Sequence, residues 1–222
     1  MQNYKKRTKN KPKRIVETYL EPYEKRLATF FVSYVPRFIQ PHYLTAIGFI
    51  AAALSGLSYV FASRNIWMLW FASFFLLLNW VGDRFDGALA RYRQKVSNFG
   101  LFQDHMIDVF SIALLFLGIS LSTLTYTYVW LIVAILYMLL EIQVVLRALV
   151  DDEFVISIAN FGPTEARVGL IATNMLIFIS SPVSFTLLGV TVALMDIIGI
   201  VAAIILLVLV VLYPFSQDCS RI

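Results

Sequence analysis

The chain has 222 residues, of which 59% are hydrophobic and 14% are charged, and its formal net charge is +4. An ordinary soluble domain carries about 25% charged residues, so this composition and a mean hydropathy of +0.77 indicate a single membrane domain instead. The one cysteine, Cys219, excludes an internal disulfide framework and a thiolate metal cluster.

The N-terminal region is first basic and then amphipathic. Residues 1–14 contain seven Lys or Arg and no acid, which predicts a solvated tail on the cytoplasmic side of a membrane. Charged residues interrupt the apolar ones that follow, so we do not expect a cleaved secretory signal. Over residues 15–38, apolar side chains recur at helical spacing opposite charged ones. This pattern predicts a juxtamembrane helix in the interface plane, which Pro22 starts or kinks.

The remaining chain, residues 39–214, predicts a bundle of membrane-crossing helices. Segments of about 20 apolar residues suffice for one crossing, and six such segments lie near residues 43–63, 66–91, 99–121, 126–149, 165–181 and 187–213. Arg64 is the only charged residue in their short outer connections. The other basic residues then lie on the opposite side, so both termini, with a tail at 215–222, are expected to face the cytoplasm. The predicted fold is therefore all-α: a polytopic membrane protein with six transmembrane helices after an interfacial amphipathic helix.

Four aspartates lie beside the second and third apolar segments. Asp83 and Asp86 are three residues apart, and Asp104 and Asp108 are four apart, so on helices each pair points to one face. Ionised carboxylates at membrane depth cost roughly 3 kcal/mol each, and four that converge repel one another unless cations lie between them. Oxygen ligands suit Mg²⁺, Mn²⁺ or Ca²⁺ better than zinc. The pattern therefore indicates a divalent-cation site.

Small residues continue both helix faces, with Gly87 and Ala90 beside the first pair and Gly100 before the second. An alternative is that the aspartates are solvated at helix ends and pair with nearby basic residues, namely Arg84, Arg91, Arg93 and Lys95. Ion pairing requires neither this spacing nor the small residues. Two further classes are a divalent-cation transporter, whose acids should lie near mid-membrane and be reachable from both sides, and a non-catalytic scaffold, which leaves the aspartates unexplained.

The same positions carry a family resemblance. The pattern Asp83-x2-Asp86-Gly87-x2-Ala90-Arg91-x8-Gly100-x3-Asp104-x3-Asp108 resembles, without a mismatch, the signature of the CDP-alcohol phosphotransferase (CDP-alcohol phosphatidyltransferase) family. Residues 41–48 also resemble the family's Pro-Asn-x-x-Thr-x-x-Gly segment, with His42 in place of Asn and no role assigned to it. The resemblance implies an enzyme that cleaves a cytidine-diphosphate donor, releases CMP and joins the remaining phospho-group to an alcohol.

The resemblance also implies roles for individual residues. Metal ligation, with Mg²⁺ or Mn²⁺ and two ions in each protomer, is implied for Asp83, Asp86 and Asp104. Asp108 matches the aspartate proposed as general base for the acceptor hydroxyl, and it is also a candidate metal ligand. Contact with the CDP donor is implied for Gly87, Ala90, Arg91 and Gly100.

Other polar residues on the aspartate side are candidates for phosphate or acceptor contact: Lys95, His105, Glu141, Arg147, Glu165 and Arg167. Each also has a structural interpretation, since arginines at a membrane surface anchor to headgroups and a histidine can simply pack. Asp196 lies nearer the middle of the sixth predicted segment, and no motif covers it.

Two branches of the family remain open. Asp104-His105 and the segment from Phe161 to Glu165 resemble the choline and ethanolamine phosphotransferase branch, which joins a CDP-amino-alcohol to a diradylglycerol. That branch is slightly preferred. The other branch uses CDP-diacylglycerol with inositol phosphate, glycerol phosphate or serine, and a phosphorylated acceptor would need a basic pocket, for which Arg147, Arg167 and Lys95 are available.

The expected partners are a CDP-linked donor, a lipid or polyol acceptor, membrane lipids and, by resemblance, a second copy of the chain, with no nucleic acid. The expected location is a cell inner membrane or an endomembrane, with the active site facing the cytoplasm.

Overall fold

The computed structural model describes residues 13–15, 18–151, 153–155, 162–180, 184–187 and 190–212. Within them are seven helices: α1 Glu21–Val32, α2 Pro41–Ala62, α3 Met68–Tyr92, α4 Asn98–Ser120, α5 Thr127–Asp151, α6 Pro163–Ser180 and α7 Leu194–Leu212. Four short strands accompany them: β1 Lys13–Ile15, β2 Glu153–Val155, β3 Ser184–Leu187 and β4 Val190–Ala193. Strand β1 pairs in parallel with β2, and β3 pairs antiparallel with β4.

Several helices begin at signals that the sequence carries. Pro22 and Pro41 lie in the first turns of α1 and α2, where the missing proline N–H breaks no helical hydrogen bond. Pro22 therefore starts α1 and does not kink it. Helix α4 has an N-cap, because the Ser97 hydroxyl accepts the Gly100 N–H at 2.9 Å. Before it the chain reverses through Gln94, whose φ of 55° is uncommon for a residue with a side chain.

Four helical segments in the described parts of the chain are long and apolar enough to cross a membrane: Pro41–Ala62, Phe102–Ser120, Thr127–Leu146 and Leu194–Leu212. The protein is thus an integral membrane protein with a largely helical fold. Helices α3 and α6 are more polar, because their sequences include charged residues near the aspartates and near the start of α6. The predicted total of six spans and the interfacial position of α1 remain predictions.

The sixth predicted segment, 187–213, is wrong at its beginning. The β3–β4 hairpin occupies residues before Leu194, and α7 starts only there. Both strands are rich in β-branched and aromatic residues, which favour extended backbone over helix even in an apolar sequence. The predicted juxtamembrane helix, 15–38, is likewise shorter, since α1 is limited to Glu21–Val32.

Helix α2 lies at the centre of the bundle and packs against both α3 and α4. Glycines permit these two close crossings. A Cβ atom on Gly82 of α3 would lie 2.6 Å from the Cα of Gly48 in α2, and one on Gly118 of α4 would overlap the backbone of Gly56. Outward from this centre, α3 contacts α1 and α6, α4 contacts α5, and α5 contacts α7.

Successive helices from α2 to α7 run in opposite directions, so the bundle has two chemically different ends. At one end, which we call the aspartate end, α2, α4 and α6 begin and α3, α5 and α7 finish. Midway along the bundle, Asn174 of α6 is buried and donates to Tyr59 of α2 at 2.8 Å and to Ser73 of α3 at 3.0 Å. Such polar contacts between helices satisfy groups that would be costly to leave unpaired in an apolar surrounding.

We expect Gly118→Ala to destabilise the protein, because its methyl group would overlap the Gly56 backbone and overpacking typically costs about 1–3 kcal/mol. Gly169→Ala in α6 is the matched control, since a Cβ there meets nothing within 4 Å and replacing a helical glycine gains up to about 1 kcal/mol. Thermal unfolding of both variants in the same detergent measures the difference. Equal melting temperatures for the two variants would contradict the close crossing of α2 and α4 at Gly56 and Gly118.

Candidate metal and phosphate site at the aspartate end

Three carboxylates converge at the aspartate end. Asp83 of α3 and Asp104 and Asp108 of α4 each place one carboxylate oxygen within 4.8 Å of the other two. Asp104 and Asp108 are one helical turn apart and share a face, and α2 brings that face towards Asp83 because it packs against both helices. The three side chains are partly buried, so their mutual repulsion is only incompletely screened by water.

The donor set of this cluster fits a divalent cation with oxygen ligands. All three donors are carboxylates, which Mg²⁺ and Mn²⁺ accept, and no described His or Cys side chain joins the group. A bound cation would offset the repulsion between the carboxylates. Asp83, Asp104 and Asp108 are thus the residues that would hold such an ion.

Asp86, the fourth predicted ligand, lies beside this group and not within it. Its carboxylate is buried, accepts the Thr45 hydroxyl from α2 at 2.6 Å, and also accepts the Gly87 N–H. Its charge nevertheless interacts with those of Asp83 and Asp104. Thr45 was not singled out by the sequence analysis, although it lies in the segment that resembles the family's Pro-Asn-x-x-Thr-x-x-Gly pattern.

Arg167 brings a cation into the cluster. Its guanidinium Nη1 lies 3.3 Å from Asp83 Oδ2, and its side chain is only 12% exposed. The Nε–H of the same guanidinium donates to Asn79 Oδ1 at 3.0 Å. Arg167 therefore lies on the aspartate side, as predicted, and it contacts an aspartate of the cluster directly.

Helix α5 contributes one further acid, Glu141, to the site. Glu141 is hydrogen-bonded to Tyr137 and interacts electrostatically with Asp83 and Arg167, and Asp108 interacts with Glu141 in turn. Tyr137 was missed by the sequence analysis. The available signal was its position four residues before Glu141, which places both side chains on one helical face.

Other candidate residues have structural partners. Both carboxylate oxygens of Glu165 accept backbone N–H groups, from Leu20 at 3.2 Å and from Gly162 at 3.0 Å, so Glu165 ties the start of α1 to the start of α6. Lys95 donates to the Gln40 side chain at 3.2 Å. These contacts show how both residues connect parts of the chain around the site, and their contact with phosphate or acceptor stays a prediction.

Two basic residues close in sequence to the aspartates, Arg84 and Arg93, also contact other parts of the chain. Arg84 forms an ion pair with buried Glu24 of α1, whose carboxylate also accepts the Trp80 indole N–H at 3.1 Å. Arg93 donates to backbone carbonyls of the α1–α2 connection at Val35, Pro36, Arg37 and Ile39. Arg84 and Arg93 therefore contact groups other than the four aspartates, which contradicts for these two residues the alternative of local ion pairs.

The positions predicted to contact the donor include Gly87, Ala90 and Gly100, and each has a different environment. A Cβ on Gly87 would come within 3.3 Å of Arg91 Nη1, so the glycine leaves room for that guanidinium. Gly100 is in the capped first turn of α4, and Ala90 and His105 are half-buried. The Arg147 side chain and all of Phe161 lie outside the described residues.

Asp196 and His42 have no place in the cluster. Asp196 is in the first turn of α7, at the end of the bundle opposite the aspartate end, and not near mid-span as predicted. It is buried and accepts the Thr125 hydroxyl at 2.5 Å, the Tyr126 N–H at 2.6 Å and the Ala193 N–H at 3.1 Å. It therefore joins the connection before α5 to the hairpin before α7. His42 is exposed and contacts the Tyr43 ring edge-on.

An integral membrane bundle with an all-carboxylate cluster near one end defines a class of membrane protein suited to phosphate chemistry with a divalent cation. Residues 38–211 match the family model for CDP-alcohol phosphatidyltransferase. The chain belongs to the CDP-alcohol phosphatidyltransferase family, which confirms the resemblance. It is also similar to an archaetidylinositol phosphate synthase of Pyrococcus horikoshii, with 42% identity over 86 residues. That match covers 39% of this chain and 43% of the relative, less than half of either protein.

We expect Asp104→Asn to weaken binding of Mn²⁺ by about 100-fold or more, since even residues that only support a ligand typically contribute 10–100-fold. Asp196→Asn is the matched control, because it changes a buried aspartate at the opposite end of the bundle. Titration of Mn²⁺ into the purified protein, followed by electron paramagnetic resonance, measures both affinities. Unchanged binding in Asp104→Asn would exclude this residue as a ligand.

Proposed function

We propose that this protein is an integral membrane transferase that moves a phospho-alcohol group from a CDP-linked donor to an alcohol and releases CMP. In this reaction the acceptor oxygen forms a bond to the donor's outer phosphorus, the bond from that phosphorus to CMP breaks, and the hydroxyl proton passes to a base. Family membership over residues 38–211 supports the reaction class. The converging carboxylates of Asp83, Asp104 and Asp108 support the position of the site.

Two ions of Mg²⁺ or Mn²⁺ in each protomer are part of this proposal. Held by the cluster with Asp86 beside it, divalent cations would neutralise the donor's diphosphate and the departing CMP. The Thr45 hydroxyl holds Asp86 by a 2.6 Å hydrogen bond. Gly87, Ala90, Arg91 and Gly100 keep their proposed role as the surroundings of the donor.

We assign Asp108 as the general base for the acceptor hydroxyl. It lies one helical turn from Asp104, and its carboxylate interacts with the charges of Glu141 and Arg167 from two other helices. A base must be within hydrogen-bond reach of the proton that it removes, and an acceptor bound between α4, α5 and α6 would meet this condition. Glu141 and Tyr137 would then line the acceptor's side of the site.

For the substrates, we favour a CDP-activated lipid as donor and a phosphorylated polyol as acceptor. The observation that carries this choice is Arg167, whose guanidinium lies 3.3 Å from Asp83 and so places a cation beside the cluster, where an acceptor phosphate would bind. The name of the similar Pyrococcus horikoshii protein also favours this branch. This choice reverses the slight sequence preference for a CDP-amino-alcohol, which rested in part on Glu165, a residue whose carboxylate accepts the backbone N–H groups of Leu20 and Gly162.

We further propose that all six helices from α2 to α7 span the membrane. Helix α3 packs along α2, which is long and apolar enough to cross a membrane, and α6 packs along α3. Exposed basic residues of the aspartate end, including Lys25, Arg26 and Arg37, favour a cytoplasmic position for that end. The domain limits 1–14, 15–38, 39–214 and 215–222, and a homodimer with a complete site in each protomer, follow from the sequence and the resemblance.

The substrate proposal is tested by measuring CMP release in proteoliposomes with a panel of donors and acceptors. We expect product from CDP-diacylglycerol or its ether-lipid analogue with inositol phosphate or glycerol phosphate, and none from CDP-choline or CDP-ethanolamine with diacylglycerol. A chelator should abolish the reaction and Mg²⁺ should restore it. The opposite donor preference would favour the amino-alcohol branch, and cation flux without CMP release would indicate a transporter.

We expect Arg167→Gln to raise the acceptor KM by about tenfold to 100-fold, because a hydrogen bond to a charged group is worth roughly 1.5–3 kcal/mol. The donor KM should change little. Arg64→Gln is the control, since Arg64 is an exposed arginine at the opposite end of the bundle. If both variants show wild-type acceptor KM, Arg167 does not bind the acceptor phosphate.

We expect Asp108→Asn to lower kcat by about 10²–10⁴-fold, the usual contribution of a positioned general base, while donor binding persists. Equilibrium binding of the CDP-lipid donor and single-turnover kinetics separate the two effects. Wild-type turnover in this variant would exclude Asp108 as the base.

A further inference from the structure

Asn79 of α3 joins three helices beneath the aspartate cluster. Its side chain is buried and makes two hydrogen bonds: Nδ2 donates to the Gly48 carbonyl of α2 at 3.0 Å, and Oδ1 accepts the Arg167 Nε–H of α6 at 3.0 Å. It precedes Asp83 by one helical turn, so the two side chains share a face of α3. Asn79 therefore contacts the arginine of the site at Nε, while Nη1 of the same guanidinium lies near Asp83.

The orientation of the Asn79 amide is determined by its partners. A backbone carbonyl can only accept a hydrogen bond, so the amide nitrogen must face Gly48 and the amide oxygen must face α6. The Gly48 carbonyl cannot easily move away, because Gly48 lies in the tight crossing where a Cβ on Gly82 would come within 2.6 Å of its Cα. The amide oxygen is thus an acceptor held in one place by the contact between α2 and α3.

This acceptor restricts the guanidinium of Arg167. A guanidinium is planar and its donors lie in a rigid fork, so holding Nε–H restricts the directions in which the terminal nitrogens point. With Nε on Asn79, Nη1 lies 3.3 Å from Asp83 Oδ2. An arginine side chain otherwise has many rotamers, and ordering it costs conformational entropy when a ligand binds.

We propose that Asn79 is a positioning residue for recognition of the acceptor's phosphate, acting through the Nε–H of Arg167. This inference rests on the proposed function, in which Arg167 binds that phosphate. Asn79 contacts neither donor nor acceptor in this proposal. It holds the guanidinium in place before the acceptor arrives, so the acceptor binds more tightly while the chemical step is unchanged.

A merely structural role would have a different signature, and the chain contains a matched control for it. Asn174 is also buried and also joins α2, α3 and α6, through Tyr59 and Ser73, but lies further from the aspartate end. Replacing either asparagine with leucine removes a similar set of buried hydrogen bonds. Only the change at Asn79 should affect the acceptor.

The experiment measures kcat and both KM values of the full chain in proteoliposomes, with inositol phosphate as acceptor. We expect Asn79→Leu to raise the acceptor KM by about tenfold, with the donor KM and kcat changed by less than about twofold. Asn174→Leu should lower the melting temperature similarly and leave the acceptor KM at its wild-type value. Adding Asn79→Leu to Arg167→Gln should produce no further increase, because both changes affect one interaction.

The proposal is overturned if Arg167→Gln raises the acceptor KM and Asn79→Leu does not. It is equally overturned if Asn79→Leu raises both KM values together, or if the two changes multiply in the double variant. If Arg167→Gln itself keeps the wild-type acceptor KM, the result instead contradicts the proposed function, because Arg167 then does not bind the acceptor phosphate. If Asn79→Leu does not fold, Asn79→Ser, which is too short to reach both partners, should show the same selective increase.

Discussion

The backbone contact between α2 and α3 at Gly48 and Gly82 supports the whole aspartate end. Because neither residue has a side chain, the two helices approach closely enough for polar groups of α3 to reach α2 directly. Asn79 reaches the Gly48 carbonyl, and Asp86 reaches the Thr45 hydroxyl. These contacts recur along one face of α3, and Asp83 lies between them. A wider crossing would separate each pair and leave buried polar groups without partners, at a cost of roughly 1–3 kcal/mol each.

The charges at the site are unevenly balanced. Among the described side chains, the three carboxylates of the cluster and Glu141 lie near the guanidinium of Arg167. Arg84 and Arg93, although adjacent in sequence, are engaged with α1 and with the connection that follows it. This distribution leaves an excess of negative charge in a partly buried place. Such an excess suits divalent cations with a diphosphate, and Arg167 suits one further phosphate.

The short helix α1 is attached to two helices that carry site residues. Glu24 binds Arg84 and Trp80 of α3, and Glu165 of α6 accepts the Leu20 N–H just before α1. Neither acid stood out in the sequence as a packing residue, because an acidic residue near a membrane surface is ordinarily solvated. The structure uses both to connect the N-terminal part of the chain to α3 and α6, so a movement of α1 would be transmitted to the elements that hold Asp83 and Arg167.

The sequence by itself determined the membrane class, most helix positions, the family and the aspartates, since these depend on composition, periodicity and spacing along one chain. It did not reveal that α7 starts at Leu194, because an apolar hairpin and an apolar helix have the same hydropathy. Only the tertiary structure separated Asp86 from the three-carboxylate group and brought Arg167 to Asp83. It also joined Asn79 to Gly48 and Arg167. These pairings link residues that are far apart in sequence. Packing between helices decides which of them meet, and the helical periodicity of a single segment does not show how that segment packs against others.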